Sequence, residues 1–220
     1  MKKQFTSVRA YAMAIATMLA TTSSLAANVV SGKLWQVSDA IAQNAVLANV
    51  PSRTPDVTFD VNSPLNFNSP DSVQSFLSSG SAFNIVENTA GTLSSLMSDG
   101  VTSTLISFSG IINVTNGQQF TVTHDDGLTL VIGDLNLGFS SGPTAPTTSI
   151  ATYTGPTGEF PFQLVYSECC SGSAVLQIDL PFTSPVPEPA SSVLLLMGLS
   201  TLIMCRRHAA SSRVGRSGQA

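Results

Sequence analysis

The sequence is poor in basic residues, and most of them lie at its two ends. Of nine Lys and Arg side chains, only Lys33 and Arg53 fall between residues 27 and 182. Twelve acidic side chains, from Asp39 to Asp179, share this region, which therefore carries ten excess negative charges. A nucleic-acid-binding protein needs clustered Lys and Arg to neutralise phosphates. The composition excludes that class.

Histidine is also scarce, because His124 is the only one before the basic C-terminal end. The sequence has no metal-binding His pair, no nucleophile elbow and no phosphate-binding loop. Paired-carboxylate catalysis would need two acids that face each other across a cleft, and a sequence cannot establish such facing. We expect that the protein is not an enzyme and that His124 caps the end of a strand.

Residues 1–26 have the three regions of a secretory signal peptide. Lys2 and Lys3 begin it, an apolar run covers residues 10–19, and small residues end it at Ala26. The alternative is an N-terminal membrane anchor, but the run is shorter than the roughly 20 residues that a spanning helix needs. We expect passage through the secretion translocon and removal by signal peptidase after Ala26.

A second apolar segment, residues 190–205, is followed by an arginine-rich tail, residues 206–220. The segment is long enough for a short transmembrane helix. Basic residues stay preferentially on the cytoplasmic side of a membrane. We therefore expect a precursor in the inner membrane, with its C-terminus cytoplasmic and its middle region outside.

The linker at residues 183–189 ends in Pro187, Glu188 and Pro189, directly before the apolar segment. Proline fixes φ and lacks a backbone N–H, which keeps such a segment extended. The order of motif, short helix and basic end resembles the PEP-CTERM sorting signal. The resemblance implies that an exosortase-type membrane peptidase recognises the motif, removes the helix and passes the protein to the envelope, the cell surface or the medium. A plain single-span anchor is the alternative.

Residues 27–102 give mixed signals. Alternating apolar residues predict a strand over Val57–Val61, and Ser69-Pro70-Asp71 predicts a helix start, with the helix running to Leu77 and ended by Gly80. Residues 28–50 are compatible with helix or strand, so the pattern does not decide between them.

Residues 103–182 have the pattern of an all-β domain, with short apolar runs separated by turn residues. We expect a mainly β fold, an antiparallel β-sandwich of jelly-roll-like type with one short helix. The predicted strands are 105–108, 111–114, 120–123, 128–132, 162–166 and 174–180. The predicted core residues are Phe120, Leu130, Leu164, Tyr166, Leu176 and Ile178.

The stretches at 120–133, 162–168 and 172–180 together resemble the protective-antigen-type domain, a lectin-like β-sandwich common in adhesins and glycosidases. In flocculin-type members, two consecutive aspartates hold a calcium ion that also takes sugar hydroxyls. Asp125 and Asp126 occupy the matching positions here, whereas Gly127 stands where those relatives carry a side chain. The resemblance implies calcium as a cofactor and a glycan as ligand.

Two interpretations of Asp125-Asp126-Gly127 remain open, because Asp-Gly is also a strong signal for a tight hairpin turn. Glu168 is either a third calcium ligand or a solvated loop acid. Calcium prefers six to eight oxygen ligands, so a third carboxylate would suit it. Cys169 and Cys170 are either free thiols, a strained vicinal disulfide, or bonded to another molecule.

Two functions therefore compete. The lectin-like resemblance indicates an exported, surface-sorted, glycan-binding module of adhesin type, whose partner is an extracellular polysaccharide. The scarcity of aromatic and charged residues favours the alternative, a non-binding structural component of the extracellular polysaccharide matrix. Trp35, the single tryptophan, lies outside the region of resemblance.

Overall fold

A computed structural model describes residues 29–69, 72–172 and 174–181. The predicted signal peptide, the sorting motif and the apolar segment at 190–205 lie outside these residues. No helix among the described residues has the length and apolar character that a membrane span requires.

The described chain forms two antiparallel sheets that pack face to face, which confirms the predicted mainly β sandwich. One sheet has seven strands in the order β4-β2-β1-β5-β10-β7-β8, and the other has four in the order β3-β11-β6-β9. The strands are β1 (Val29–Ser38), β2 (Val57–Asn62), β3 (Leu65–Ser69), β4 (Phe83–Glu87), β5 (Thr102–Val114), β6 (Gln119–Asp125), β7 (Leu128–Ile132), β8 (Leu135–Asn136), β9 (Thr147–Thr152), β10 (Gly158–Glu168) and β11 (Ala174–Ile178). The helices are α1 (Asp39–Ala42), α2 (Val73–Ser79) and a 3-10 turn (Leu47–Asn49).

Alternation of apolar and polar side chains explains why these segments are strands, since successive side chains point to opposite faces of a sheet. In β2, for example, Val57, Phe59 and Val61 are buried between the sheets. All six predicted core residues are buried there as well, which confirms that prediction.

The sandwich begins at Val29 rather than at residue 103. Strands β1 and β2 belong to the seven-stranded sheet, where β1 pairs with both β2 and β5. The undecided stretch at 28–50 therefore contains a ten-residue strand, followed by a four-residue helix. Residues Ala26–Ser184 form one compact unit, and both hydrophobic clusters of the described chain lie within it.

Three local predictions differ from the structure. Helix α2 is capped by Ser72, whose side chain accepts a hydrogen bond from the backbone of Ser75, and not by the Ser69-Pro70-Asp71 sequence. The two strands predicted at 105–108 and 111–114 are one continuous strand, β5. The stretch predicted as a loop after Gly142 contains strand β9.

A second, smaller hydrophobic cluster covers the outer face of the seven-stranded sheet. Leu105 and Val165 point to this face, because their neighbours Ile106 and Leu164 point into the main core. The chain that follows β1 folds over them. The cluster consists of Trp35, Val37, Ala42, Ala45, Leu105, Val165 and Cys169.

Candidate functional site

Three acidic side chains meet where the two sheets come together. Asp125 ends β6 of the smaller sheet, Asp126 follows it, and Glu168 ends β10 of the larger sheet. Each offers a carboxylate oxygen, and these oxygens lie within 4.8 Å of one another. The three residues are only 6%, 6% and 1% exposed, respectively. The structure thus brings together all three acids that the sequence singled out.

The hairpin interpretation of Asp125-Asp126-Gly127 is wrong. Strand β6 pairs with β11 and β9, whereas β7 pairs with β10 and β8, so the chain crosses from one sheet to the other at this point. The peptide bond between the two aspartates is cis.

Gly127 serves close packing rather than a turn. A Cβ atom at this position would lie 2.0 Å from the backbone oxygen of Ser141 and 3.3 Å from the Cβ of Ala45. The carbonyl of Gly127 also accepts a hydrogen bond from the backbone of Ser167. A side chain here would push away the loop around Ser141, which explains why glycine occupies the position.

Backbone groups from two distant segments fix the carboxylate of Asp126. The N–H of Thr144 donates to its Oδ1, and the N–H of Cys169 donates to its Oδ2, both at 2.9 Å. A carboxylate oxygen has two lone pairs, so each can interact with more than one partner. The Asp126 side chain is therefore held in one orientation and can still coordinate a cation.

His124 supports this arrangement from inside the sandwich. It is fully buried and is the penultimate residue of β6, at the strand end where the sequence placed it. Its Nδ1 contacts the carbonyl oxygen of Asp126, and its Nε2 lies 3.4 Å from Oγ of Ser149. A carbonyl oxygen can only accept, so Nδ1 carries the proton. His124 positions the backbone of Asp126.

Glu168 is a buried residue and not a solvated loop acid. The hydroxyl of Tyr166 lies 3.1 Å from Oε2 of Glu168 and also contacts the backbone carbonyl of Asp125, so these two acceptors share the single hydroxyl proton. Burial raises the pKa of the Tyr166 hydroxyl well above its ordinary value, so this residue remains a donor. The tyrosine thereby links the ends of strands β6 and β10.

The site holds more negative charge than its surroundings balance. Burial, with the charges of Asp126 and Asp125 adding to it, raises the pKa of the Glu168 carboxyl to about 8. Burial and then the charge of Asp126 raise the pKa of Asp125 to about 6. No basic side chain among the described residues forms an ion pair with any of the three. A bound cation would relieve this repulsion.

The donor set fits calcium. All three side chains offer carboxylate oxygens, which suit hard cations such as Ca²⁺ better than metals that prefer nitrogen or sulfur. The three carboxylates provide part of the six to eight oxygens that calcium takes, so positions remain for carbonyls, water or ligand hydroxyls. The residues present are thus able to hold the ion that the lectin-like resemblance implies.

Cys169 and Cys170 form a vicinal disulfide, which decides between the alternatives left open by the sequence. The N–H of Cys170 donates to Oδ1 of Asp39 at 3.0 Å, and this contact is the main reason why the pKa of Asp39 is lowered. Asp39 lies near the two sulfur atoms, but disulfide sulfurs are not the thiolates that bind metals. The disulfide segment directly follows Glu168 and packs against α1.

Sequence reasoning missed the residues that orient the acids. Thr144 lies in a loop far along the chain, and Tyr166 was identified only as a core residue. Thr144 reaches Asp126 through its loop, whereas Tyr166 and Glu168 share one face of β10, which continues beyond the predicted strand end. The Ser-Glu-Cys-Cys-Ser-Gly sequence after Tyr166 has the composition of a loop, which concealed the burial of Glu168.

Comparison with known families and proteins gives one sequence match. Residues 185–208 match the model of the PEP-CTERM protein-sorting motif, which confirms the predicted resemblance; Pro187, Glu188 and Pro189 lie within the match. These residues lie outside the described part of the chain. No curated protein matches the sequence.

Solved structures resemble the sandwich. A PA14 sugar-binding domain from an RTX adhesin is 21% identical, covers 70% of this chain and 90% of its own, and has a TM-score of 0.50. The PA14 domain of the MpAFP antifreeze protein is 18% identical, covers 72% and 83%, and has a TM-score of 0.47. The chain therefore has a PA14-like fold, the protective-antigen type that its sequence resembles.

Proposed function

We propose that the protein is an exported module, sorted to the bacterial cell surface, that binds a glycan through a calcium ion held by Asp125, Asp126 and Glu168. The observation that carries this proposal is the meeting of three buried carboxylates with no basic partner in the described structure. The adhesin domain with the same fold is a sugar-binding one by name, which supports the same assignment.

The calcium ion would bind sugar hydroxyls at coordination positions that the protein leaves open. The protein's own residues prepare the site. Backbone donors hold Asp126, while the Tyr166 hydroxyl fixes Glu168 relative to the end of β6. Since these contacts exist before any ligand arrives, little ordering is needed on binding. Binding of this kind breaks no bond in the ligand. We therefore propose a binding module rather than an enzyme.

A glycan array probed with the compact unit Ala26–Ser184 tests the binding function. We expect signals on a subset of glycans in the presence of calcium and their loss in EDTA, with recovery when calcium is restored. Intact-fold controls are thermal melting curves in both buffers. Absence of any calcium-dependent signal would favour the structural matrix component instead.

The sorting function rests on the motif at residues 185–208, which is the recognition signal for exosortase processing. We propose that the precursor is shortened at both ends, after Ala26 by signal peptidase and near Pro187-Glu188-Pro189 by the exosortase. Intact-mass analysis of protein recovered from the cell surface measures both cuts. Retention of residues 190–220 in that material would contradict the sorting proposal and leave a simple membrane anchor.

A further inference from the structure

A groove lies on the outer face of the seven-stranded sheet, beside the smaller hydrophobic cluster. Its volume is about 730 Å³, within the usual range for ligand-binding pockets. Strands β5, β7 and β10 form its floor, with Ser109, Val131 and Gln163 among the lining residues, and the segment Pro51–Pro55 forms one wall. The groove shares no lining residue with the acidic site.

Lys33 and Arg53, the two basic residues of the region from 27 to 182, both line this groove. None of its lining residues is acidic, although acids outnumber bases in this region by ten. Because the charge of Arg53 is paired with Asp56, the groove is a local positive site through Lys33. Such charge placement favours an anionic ligand at this position and disfavours one elsewhere.

The two cations have different roles. The guanidinium of Arg53 bonds to both carboxylate oxygens of Asp56, at 2.7 and 2.8 Å, and to the carbonyl of Gln36. The indole N–H of Trp35 donates to the carbonyl of Arg53. These bonds fix the wall of the groove. Lys33 is exposed and forms no ion pair within the described ranges, so its ammonium group is available to a ligand.

The remaining lining suits a carbohydrate. Hydroxyl and amide groups of Ser109 and Gln163 can exchange hydrogen bonds with sugar hydroxyls. The apolar surfaces of Val131 and Pro161 can pack against the C–H faces of a pyranose ring. A sugar that also carries a carboxylate would form an ion pair with the ammonium group of Lys33.

We infer that this groove is a second glycan site, which binds a carboxylate-bearing polysaccharide, such as a uronic-acid chain, through Lys33 and without calcium. The site differs from the acidic one in ligand charge, in metal dependence and in the face of the sandwich that it uses. Its existence does not depend on the proposed calcium function.

Binding of polygalacturonate to the compact unit, measured in EDTA and at low ionic strength, tests the inference. We expect binding that weakens at high salt, because the ammonium–carboxylate attraction is exposed and therefore screened. Fully methyl-esterified pectin has the same backbone without the charges and should not bind. Lys33→Gln should weaken binding by about threefold, Lys33→Glu should abolish it, and Lys33→Arg should retain it.

Thr152→Glu provides the matched control. It makes the net charge more negative by one unit, as Lys33→Gln does, but at an exposed position of the other sheet. Melting temperatures of all variants report whether each one is folded. No binding of polygalacturonate, equal binding of the esterified polymer, or equal weakening by Thr152→Glu would overturn the inference. Tighter binding of dextran sulfate at equal charge would also overturn it, because the site would then prefer sulfate. A failure of calcium-dependent binding to neutral glycans would contradict only the function proposed for the acidic site and would leave this inference standing.

Discussion

The backbone N–H of Cys169 donates to Oδ2 of Asp126 at 2.9 Å, across 43 residues of sequence. The residue before Cys169 is Glu168. The residue after it, Cys170, donates a backbone hydrogen bond to Asp39. One short segment therefore supplies a candidate calcium ligand, orients a second one and anchors itself to helix α1. The disulfide between Cys169 and Cys170 constrains this segment.

Breaking that disulfide should weaken calcium binding. When the segment relaxes, the donor to Asp126 moves, and loss of such an orienting contact typically lowers metal affinity by about tenfold. Isothermal titration with calcium before and after treatment with a phosphine reductant measures the effect. The double variant Cys169→Ser, Cys170→Ser is the control, because it should bind like the reduced protein and not respond to reductant. Equal affinities of the oxidised and reduced protein would contradict the coupling.

Asp126→Asn should weaken calcium, and any calcium-dependent sugar binding, by at least about tenfold, or roughly 1.4 kcal/mol. The variant removes a charged ligand but keeps an oxygen that can accept one of the two backbone N–H bonds, so the fold should survive. Asp134→Asn, at an exposed position in the turn after β7, is the matched control and should bind calcium normally. If isothermal titration of the unaltered protein with millimolar calcium shows no heat of binding, the assignment shifts to a structural component of the matrix.

Without calcium, stability should fall as the pH rises from about 4 to about 8. The pKa of Glu168 is raised to about 8 and that of Asp125 to about 6, above ordinary unfolded values near 4. A carboxyl with a raised pKa stabilises the fold while it is protonated, and this contribution disappears as pH passes through its folded pKa. Melting temperatures measured in EDTA across this range test the sign.

Two further measurements separate the contribution of Glu168 from other effects. Glu168→Gln has no proton to lose, so its melting temperature should depend less on pH. Calcium should restore stability most at the upper end of the range, because the ion replaces the protons that the carboxyls lose. A melting temperature in EDTA that rises between pH 5 and pH 8 would falsify this account of the site's electrostatics.

Asp56 should have the opposite pH dependence. Its hydrogen bonds with Arg53 are the main cause of its lowered pKa, about 2, and Thr89 and Gln36 add to the effect. Its stabilising contribution is present above the unfolded pKa near 4 and is lost as pH falls through about 2.

Replacing Asp56 by Asn should cost about 2 kcal/mol in urea denaturation at neutral pH, since buried charge-assisted bonds are lost. Arg53 is half exposed, which keeps the cost below that of a fully buried pair. Asp60→Asn, at a more exposed acid of β2 that bonds to Ser31 and Asn84, is the control and should cost much less. Equal losses for the two variants would contradict the assigned role of Asp56.

Alternation in the sequence was enough to predict the strands that bury one face. It failed for β1, because Leu34 packs in the main core while Trp35 and Val37 pack in the outer cluster. Buried apolar residues therefore lie on both faces of the second half of β1, which breaks the simple alternation there. It failed for β9 for the opposite reason. Half of the residues of that edge strand are threonine, and its one large apolar residue, Ile150, is exposed.

The residue types of the candidate site could be predicted, but its burial could not. The two consecutive aspartates match the calcium positions of the flocculin-type domains that the sequence resembles, and Glu168 was a candidate third ligand. The sheet that each strand joins is decided by long-range pairing, and this pairing turned the apparent hairpin at Gly127 into a crossover. Strand β10 also continues to Glu168, beyond the predicted end at residue 166, so Glu168 lies on the same face as Tyr166 and is buried with it.

The last strand, β11, lies between β3 and β6 and not at an edge of the smaller sheet. The ribosome releases the N-terminal residues of the chain first. Strands β3 and β6 therefore cannot pair with β11, which lies between them, until residues 174–178 have been synthesised. Asp125 pairs with Val175 of that strand, so the acidic site is completed only when almost the whole module has emerged. Late closure of the smaller sheet is built into the order of the strands.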